Sequence, residues 1–474
     1  MAMVQFTRSG KFNRTSSTTN TTTNETLSTY GFYGSSLIYT ASGGDTTLTG
    51  SDENEAFIYD LTLNGTNALR FSGFTAFDAG AGDDIMDFTV RAANASSPYA
   101  TAATLSGGLG DDVIWTAGSN LGTVYGDSAT MTGTSGNETI GGADTINVAA
   151  ATVGTTVYAD GSDLSWAKGG ADTVTGSNAN DVIYGDAYRL GLSASSTAWG
   201  GNDTIYGGAG RDTIYGDAYT MAAGAGSSAY GGNDILYGGT ASTPGTDADS
   251  IQGDAYQMAT ISNAKAWGGD DTIYGSNGSD TYLVGDARFM GTGANSSVTC
   301  GNDTIYGQGG SDGLYGDGLT LGSSTTNAST IVCGNDKLYG GIGIDTLVGD
   351  ADTTTASSTV TCGNDILDGG AGNDKLYGDI STKANGALIG GNDTFVFEPG
   401  SGADTIYDFS SGGSRGVDRI DVSAYGYTSF SSLTITNNNT ATVTVNFGDG
   451  NTVAVKNWNN TSLTLTASDF IFAT

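Results

Sequence analysis

Apolar residues in this chain come in bursts of two or three, of the form x-Ile-Tyr or x-Leu-Tyr, set between glycine-rich polar turns. The stretch "GGNDTIYGGAGRDTIYGDAYTM" at residues 200–221 shows the pattern twice: Asn202-Asp203-Thr204-Ile205-Tyr206-Gly207, then Arg211-Asp212-Thr213-Ile214-Tyr215-Gly216. No segment carries a convincing helical period, so the bursts predict short β-strands joined by turns. A strand this short cannot bury a face by itself. It must stack on copies of itself, which is the logic of a solenoid.

The copies are present. An Asp that follows small or polar residues and precedes, two places on, an aliphatic or aromatic residue recurs at Asp84, Asp112, Asp144, Asp172, Asp181, Asp203, Asp212, Asp234, Asp249, Asp271, Asp280, Asp303, Asp312, Asp336, Asp345, Asp365, Asp374, Asp393 and Asp404. Many form pairs nine residues apart, while the 234/249 pair is spread by the insert "TASTPG" at 240–245. The first members recur from Asp144 to Asp393 in steps of 28 to 37. The remainder of each unit also has a phase: "YGDAYRL" (184–190), "YGDAYTM" (215–221), "VGDARFM" (284–290) and "YGDGLTL" (315–321), then a small, polar stretch such as "AAGAGSS" before the next "GGND". The Asp of the YGD phase, Asp317 for instance, reads as a turn cap.

Glycine lets the backbone take positive φ and turn its carbonyls inward around a point, and the neighbouring Asp adds a carboxylate. Carbonyls and carboxylates, with neither nitrogen nor sulfur, suit calcium, which accepts 6–8 oxygens in loose geometry. Two turns stacked at the strand spacing of about 4.8 Å can share ions. "GGLGDDVIW" (107–115), "GGAGRDTIY" (207–215) and "GGAGNDKLY" (369–377) resemble the calcium-binding nonapeptides of the RTX, or hemolysin-type, repeat family. The resemblance implies an all-β, right-handed parallel β-roll or β-helix over residues 79–407, with multiple Ca2+ ions in the turns and the nineteen aspartates as metal ligands. Two nonapeptides complete a coil in the simple pattern. Here about a dozen extra residues intervene, and an expanded coil with a third side is expected.

Composition agrees with a cation-dependent scaffold. In 474 residues there are 77 glycines and 3 prolines, and 50 acidic against 16 basic side chains give a formal charge of −34. Such a chain repels nucleic acid and anionic membrane, so neither is an expected partner. There is no histidine, which removes imidazole bases, Ser-His-Asp triads and ordinary zinc catalysis. No apolar run is long enough to insert in a membrane as a helix, and no G-x-S-x-G or H-E-x-x-H motif occurs. The reading is therefore non-enzymatic. Cys300, Cys333 and Cys362 each replace the first glycine of a "GGND" turn and would stack in three successive coils. Buried free thiols are the favoured reading, one disulfide with a leftover thiol the alternative, and a metal site the least favoured.

Four regions follow: a Thr-rich arm (1–41), a degenerate first coil or cap (42–78), the roll (79–407) and a C-terminal β segment (408–474), in which Gly448-Asp449-Gly450 forms a hairpin turn. The N-terminus has no signal-peptide pattern. The C-terminal segment resembles the type I secretion region of serralysin-like proteins, which implies an exporter as partner and an extracellular or cell-surface location. The arm reads as flexible, as a docking strand for a neighbour or as a glycan carrier. The favoured function is a subunit of a calcium-dependent surface layer or filament that self-associates. The alternative is an adhesin gripping cell-surface polysaccharide through aromatics such as Trp199, Tyr230 and Trp267, whose bland reading is packing between coils.

Overall fold

A computed structural model of the chain describes residues 39–40, 46–52, 54–59, 71–89, 103–118, 121–239, 248–322, 329–355, 358–382 and 387–474. The Thr-rich stretch at 15–30 and the insert at 240–245 lie outside the described residues. Regular structure among the described residues is β-strand, with short 3-10 turns near the C-terminus.

One coil shows how the pattern folds. Thr204–Gly208 belongs to a 14-stranded sheet (sheet 1) and Thr213–Tyr215 to a 16-stranded sheet (sheet 2). Ala218–Met221 and Ser228–Tyr230 then enter two 9-stranded sheets (sheets 3 and 4) before Ile235–Gly239 returns to sheet 1. The sheets grow by in-register parallel pairing of successive coils: Ile205 lies against Leu236, Ile214 against Ile251, Met221 against Met258 and Ala229 against Ala266. Side chains alternate inward and outward in Thr204–Gly208 and Ser228–Tyr230, the period of two that a pleat imposes, whereas Ala218–Met221 buries both its ends.

The expected third side is thus two further strand rows, and the coil is four-stranded. The intervening residues carry two separate apolar positions, Met221 and Ala229, and the chain reverses between them with positive φ at Ala222 (54°) and Gly226 (67°). Two cores result. Sheets 1 and 2 enclose a column of Ile and Leu, including Ile205, Ile214, Leu236 and Ile273, all fully buried. Sheets 3 and 4 enclose a narrower column rich in Ala and Met, including Ala218, Met221, Ala229 and Met258. Each buried Ile is worth about 1.5–3 kcal/mol, so stability accumulates coil by coil.

The earlier coils show where the second core enters. In residues 76–118, Ala76–Gly80 and Ala103–Ser106 of sheet 2 connect to Ile85–Phe88 and Val113–Gly118 of sheet 1 through "AGDD" and "GLGDD" turns, with no strand between. From Thr130–Thr132 and Thr139–Ile140 onward, sheets 3 and 4 are spliced into that same edge. The edge turn is split into a YGD half leading out and a GGND half leading back. At the far end the hairpin Val443–Gly448 and Asn451–Val455 extends sheet 2, while Arg419–Asp421 and Phe470–Ile471 extend sheet 1. The first core is closed there by Val443, Val453, Leu465 and Phe470, and Trp458 packs on the second.

Candidate metal centre

The aspartates line up in ladders that the coil repeat builds. In the first, each carboxylate accepts a hydrogen bond from the backbone N–H of its counterpart one coil earlier: Asp112 from Asp84, Asp144 from Asp112, Asp172 from Asp144, Asp203 from Asp172 and Asp234 from Asp203, at 2.6–2.8 Å. The ladder continues through Asp271, Asp303, Asp336, Asp365 and Asp393 to Asp418. A second ladder runs along the opposite edge of the first core through Asp181, Asp212, Asp249, Asp280, Asp312, Asp345, Asp374 and Asp404. The nineteen phased aspartates all fall in these two ladders, and none is more than 3% exposed.

A third ladder was not anticipated as a site. The YGD-phase aspartates Asp127, Asp160, Asp186, Asp217, Asp254, Asp286, Asp317, Asp350, Asp379 and Asp408 are buried at the waist between the two cores. Their reading as turn caps is incorrect for a structural reason. The YGD and GGND segments are two halves of one opened turn, so their carboxylates converge. Asp186 Oδ1 accepts from Gly201 N at 2.8 Å, Asp217 Oδ1 from Gly232 N at 2.8 Å and Asp317 Oδ1 from Gly334 N at 2.7 Å. Each bond ties the outgoing half of a turn to the returning half. The recurrence of "YGD" and its variants is visible in the sequence, but its proximity to "GGND" depends on a chain reversal between sheets 3 and 4.

The glycines on both halves make room for these carboxylates. A Cβ on Gly216 would lie 2.0 Å from Asp234 Oδ2, and one on Gly200 would lie 1.7 Å from Asp217 Oδ1. At the opposite edge, a Cβ on Gly340 would lie 2.7 Å from Asp345 Oδ2.

In many of these carboxylates one oxygen has no protein donor. Oδ2 of Asp144, Asp172, Asp203, Asp234, Asp271 and Asp303 in the first ladder, of Asp186, Asp217, Asp254, Asp286 and Asp317 in the third, and of Asp312, Asp345 and Asp374 in the second, is buried without a hydrogen bond. Carboxylate oxygens of Asp112, Asp127 and Asp144 all lie within 4.8 Å of one another. At that separation two ionised carboxylates repel by about 3–4 kcal/mol at an effective dielectric near 20, and desolvation adds to the cost. Burial pushes Asp203 well above the usual carboxylate range, with the Asp186 charge adding to it, and pushes Asp186, Asp254 and Asp317 up to about 6. Asp312 is pushed up to about 8, also by burial. Without a cation, burial favours the protonated form of these carboxylates. With one, the orphaned oxygens become a ligand set of the hard, all-oxygen kind that calcium prefers.

The outer turns are not all alike. Asp181 Oδ2 accepts from Ser177 N at 2.6 Å and from Ser177 Oγ at 2.9 Å, and Asp280 Oδ2 accepts from Ser276 N at 2.7 Å. In these two turns serine stands where others have the second glycine, and it supplies the donors that a cation would replace.

Aromatic residues pack coil on coil. Trp199 stacks on Tyr230 at 5.9 Å and Tyr230 on Trp267 at 4.4 Å between ring centres. A longer column of Tyr206, Tyr237, Tyr274, Tyr306 and Tyr339 runs along sheet 1 with spacings of 4.8–4.9 Å.

The family model for the RTX calcium-binding nonapeptide repeat (4 copies) matches residues 101–120, 159–187, 200–218, 228–241, 265–286, 301–318, 334–354 and 363–380. No curated protein matches the chain. Every matched segment includes aspartates of the ladders, and six of them, such as 159–187 and 301–318, also take in a YGD-phase Asp.

Proposed function

This chain is an RTX (hemolysin-type) calcium-binding repeat protein, and we propose that it is a secreted, non-enzymatic structural subunit that calcium folds outside the cell into a surface layer or filament. The repeats imply calcium binding, and RTX repeat proteins are generally secreted. The observation that carries the structural reading is the share of the chain given to scaffold: almost every described residue from Thr47 to Ile406 lies in a coil or in the turn that joins two coils. No helix among the described residues is long and apolar enough to cross a membrane.

In this reading the first and third ladders hold ions along the waist, and the second holds ions in turns such as 207–212, 340–345 and 369–374. The bound ion supplies positive charge that lets both carboxylates of a rung stay ionised. The residues do the rest: glycines admit the carboxylates, backbone N–H groups fix one oxygen of each, and the apolar columns on either side exclude water. The C-terminal segment 408–474 serves both as cover and as export signal for a type I exporter.

Negative-stain microscopy of the purified protein tests the assembly. Sheets or fibres in millimolar calcium that disperse in chelator support the subunit reading. Monodisperse rods at every calcium concentration overturn it. They would favour the second reading, an adhesin, for which the tyrosine column on sheet 1 is the specific observation: Tyr206 is 42% exposed and its ring faces continue coil after coil. The rings cover one another's faces, so a sugar would meet the row of ring edges and hydroxyls that this ribbon presents.

A further inference from the structure

Three coils break the all-oxygen rule of the waist. Where Gly200, Gly231 and Gly268 open the turn in earlier coils, Cys300, Cys333 and Cys362 stand instead. The glycine positions show what surrounds such a side chain: a Cβ on Gly231 would meet Asp254 Oδ1 at 1.8 Å and Asp217 Oδ2 at 2.6 Å, one carboxylate from each of two adjacent coils. A cysteine there puts sulfur between YGD-phase carboxylates. The thiol and carboxylate donor atoms of Cys300, Asp317 and Cys333 all lie within 4.8 Å of one another. Cys333 is 8% exposed and Asp317 is fully buried.

Two further observations point to a ligand. Asp317 Oδ1 is held by Gly334 N at 2.7 Å, while its Oδ2 is buried with no hydrogen-bond partner. The Met290 thioether sits 3.7 Å from Cys300 Sγ, which brings a third sulfur beside the cluster. Calcium is a poor match for this set. Thiolate and thioether ligands select thiophilic ions, and two thiolates with a carboxylate suit a four-coordinate zinc-class ion. The next rung shows the contrast. Asp350, Cys362 and Asp379 also cluster, but the Arg415 guanidinium approaches Asp379 Oδ2 at 3.9 Å and brings its own positive charge.

We propose that Cys300, Cys333 and Asp317 form a site for one thiophilic divalent cation of the zinc class, set into the waist among hard-cation sites, with Met290 as a fourth donor. Binding forms two thiolate–metal bonds, one thioether–metal bond and one oxygen–metal bond, and the two thiol protons leave to solvent, so affinity rises with pH. The site differs from the calcium sites in ligand chemistry. It would lock the two neighbouring coils that carry Cys300 and Cys333 at calcium concentrations too low to hold the rest.

The test uses the full chain, reduced and folded in millimolar calcium, titrated with cadmium and then with zinc as competitor. One cadmium per chain should bind with a sulfur-to-cadmium charge-transfer band, and zinc should displace it. Cys300→Gly and Cys333→Gly restore the residue that other coils carry, so an unchanged circular dichroism spectrum in calcium shows that they fold. Each should lower cadmium affinity about 100-fold, and Asp317→Asn about tenfold with both thiols still titratable. Absence of the band in the reduced protein, or a band unchanged in both glycine variants, overturns the proposal. So does a disulfide between Cys300 and Cys333 in the secreted protein, seen as a mass two hydrogens lower. Because the readout is a sulfur band in an already folded chain, its failure is distinct from any failure of calcium to fold the repeats.

Discussion

A carboxylate buried at the waist is a different object from one at the surface, and Asp317 shows it. Sequence phase made it a turn cap beside the ligand Asp303, yet both are within 1% of full burial, and both keep an Oδ2 that no protein group satisfies. Asp203→Ala and Asp217→Ala, which share that orphaned oxygen in an all-oxygen part of the waist, should therefore raise the calcium concentration needed for folding to a similar degree. A calcium titration followed by circular dichroism checks this, and an unaffected Asp217→Ala midpoint would return the YGD-phase aspartates to the role of caps. The second ladder offers the opposite test. Asp345→Ala should lower the number of calcium ions bound, because Asp345 Oδ2 is orphaned. Asp181→Ala should leave that number unchanged, because Ser177 already satisfies its carboxylate. Isothermal titration of both variants gives the count. The same burial fixes how pH acts on the metal-free chain. Burial pushes Asp186, Asp254 and Asp317 up to about 6 in the roll against an ordinary 3.8. Between those values the folded state binds more protons than the unfolded one, so stability falls as pH rises through the window, by up to about 1.4 kcal/mol per pH unit for each group. In chelator the chain should be most folded near pH 4 and lose structure toward pH 7, and calcium should remove that dependence. Urea midpoints that rise with pH in chelator would contradict it.

At the scale of strands and turns, the coil is held by glycines that allow backbone to pass against backbone. A Cβ on Gly232 would fall 1.2 Å from the carbonyl oxygen of Gly201 in the preceding coil, with no flexible side chain to yield. Gly232→Ala should therefore separate two coils and cost several kcal/mol, on the scale of a core truncation such as Ile273→Ala at about 2–5 kcal/mol. Both variants should shift the calcium midpoint upward, since neighbouring coils share ladders. A Gly232→Ala protein with an unshifted midpoint would mean that the backbones can separate without disturbing the ligands. These elements also show what the sequence could convey. The nine-residue spacing, the Ile and Leu at strand centres and the Gly448-Asp449-Gly450 turn were all legible because each depends on residues close in the chain. The fourth strand row was not. Ala218, Ala229 and Met221 are too small or too flexible to announce a core, and their burial comes from stacking between coils, not from local pattern. For the same reason the third ladder, whose partners lie 15 residues away across two strands, could not be joined to the first by spacing alone.

For the whole molecule, charge and solenoid geometry act together. With 50 acidic residues against 16 basic ones and orphaned carboxylates repeated in nearly every coil, the chain at neutral pH needs cations to fold, because repulsion along the ladders accumulates as the apolar columns do. In chelator at pH 7 the β spectrum should collapse, and it should return cooperatively at the 10⁻⁴–10⁻³ M range typical of extracellular calcium sites. A β spectrum unchanged by chelator would remove the basis for coupling folding to export. The two ends of the solenoid are not equivalent. At the C-terminal end, Phe409, Val443, Val453 and Phe470 are buried over the first core, and the Trp458 ring covers the second with Arg415 stacked on it at 4.1 Å. Removing residues 408–474 exposes the final strands Thr394–Val396 and Ala403–Ile406 of sheets 1 and 2. Because solenoid stability is a sum of nearest-neighbour terms, the damage should be greatest in the last coils and fade toward the middle. Hydrogen exchange in calcium should then show protection lost around residues 363–406 and kept around 200–290. The same truncation should abolish export through a type I exporter while the remaining repeats still bind calcium. Normal secretion of the truncated chain would separate the two roles given to this segment and leave it as a cover alone, whereas uniform loss of protection along the roll would mean that the cover nucleates folding of every coil.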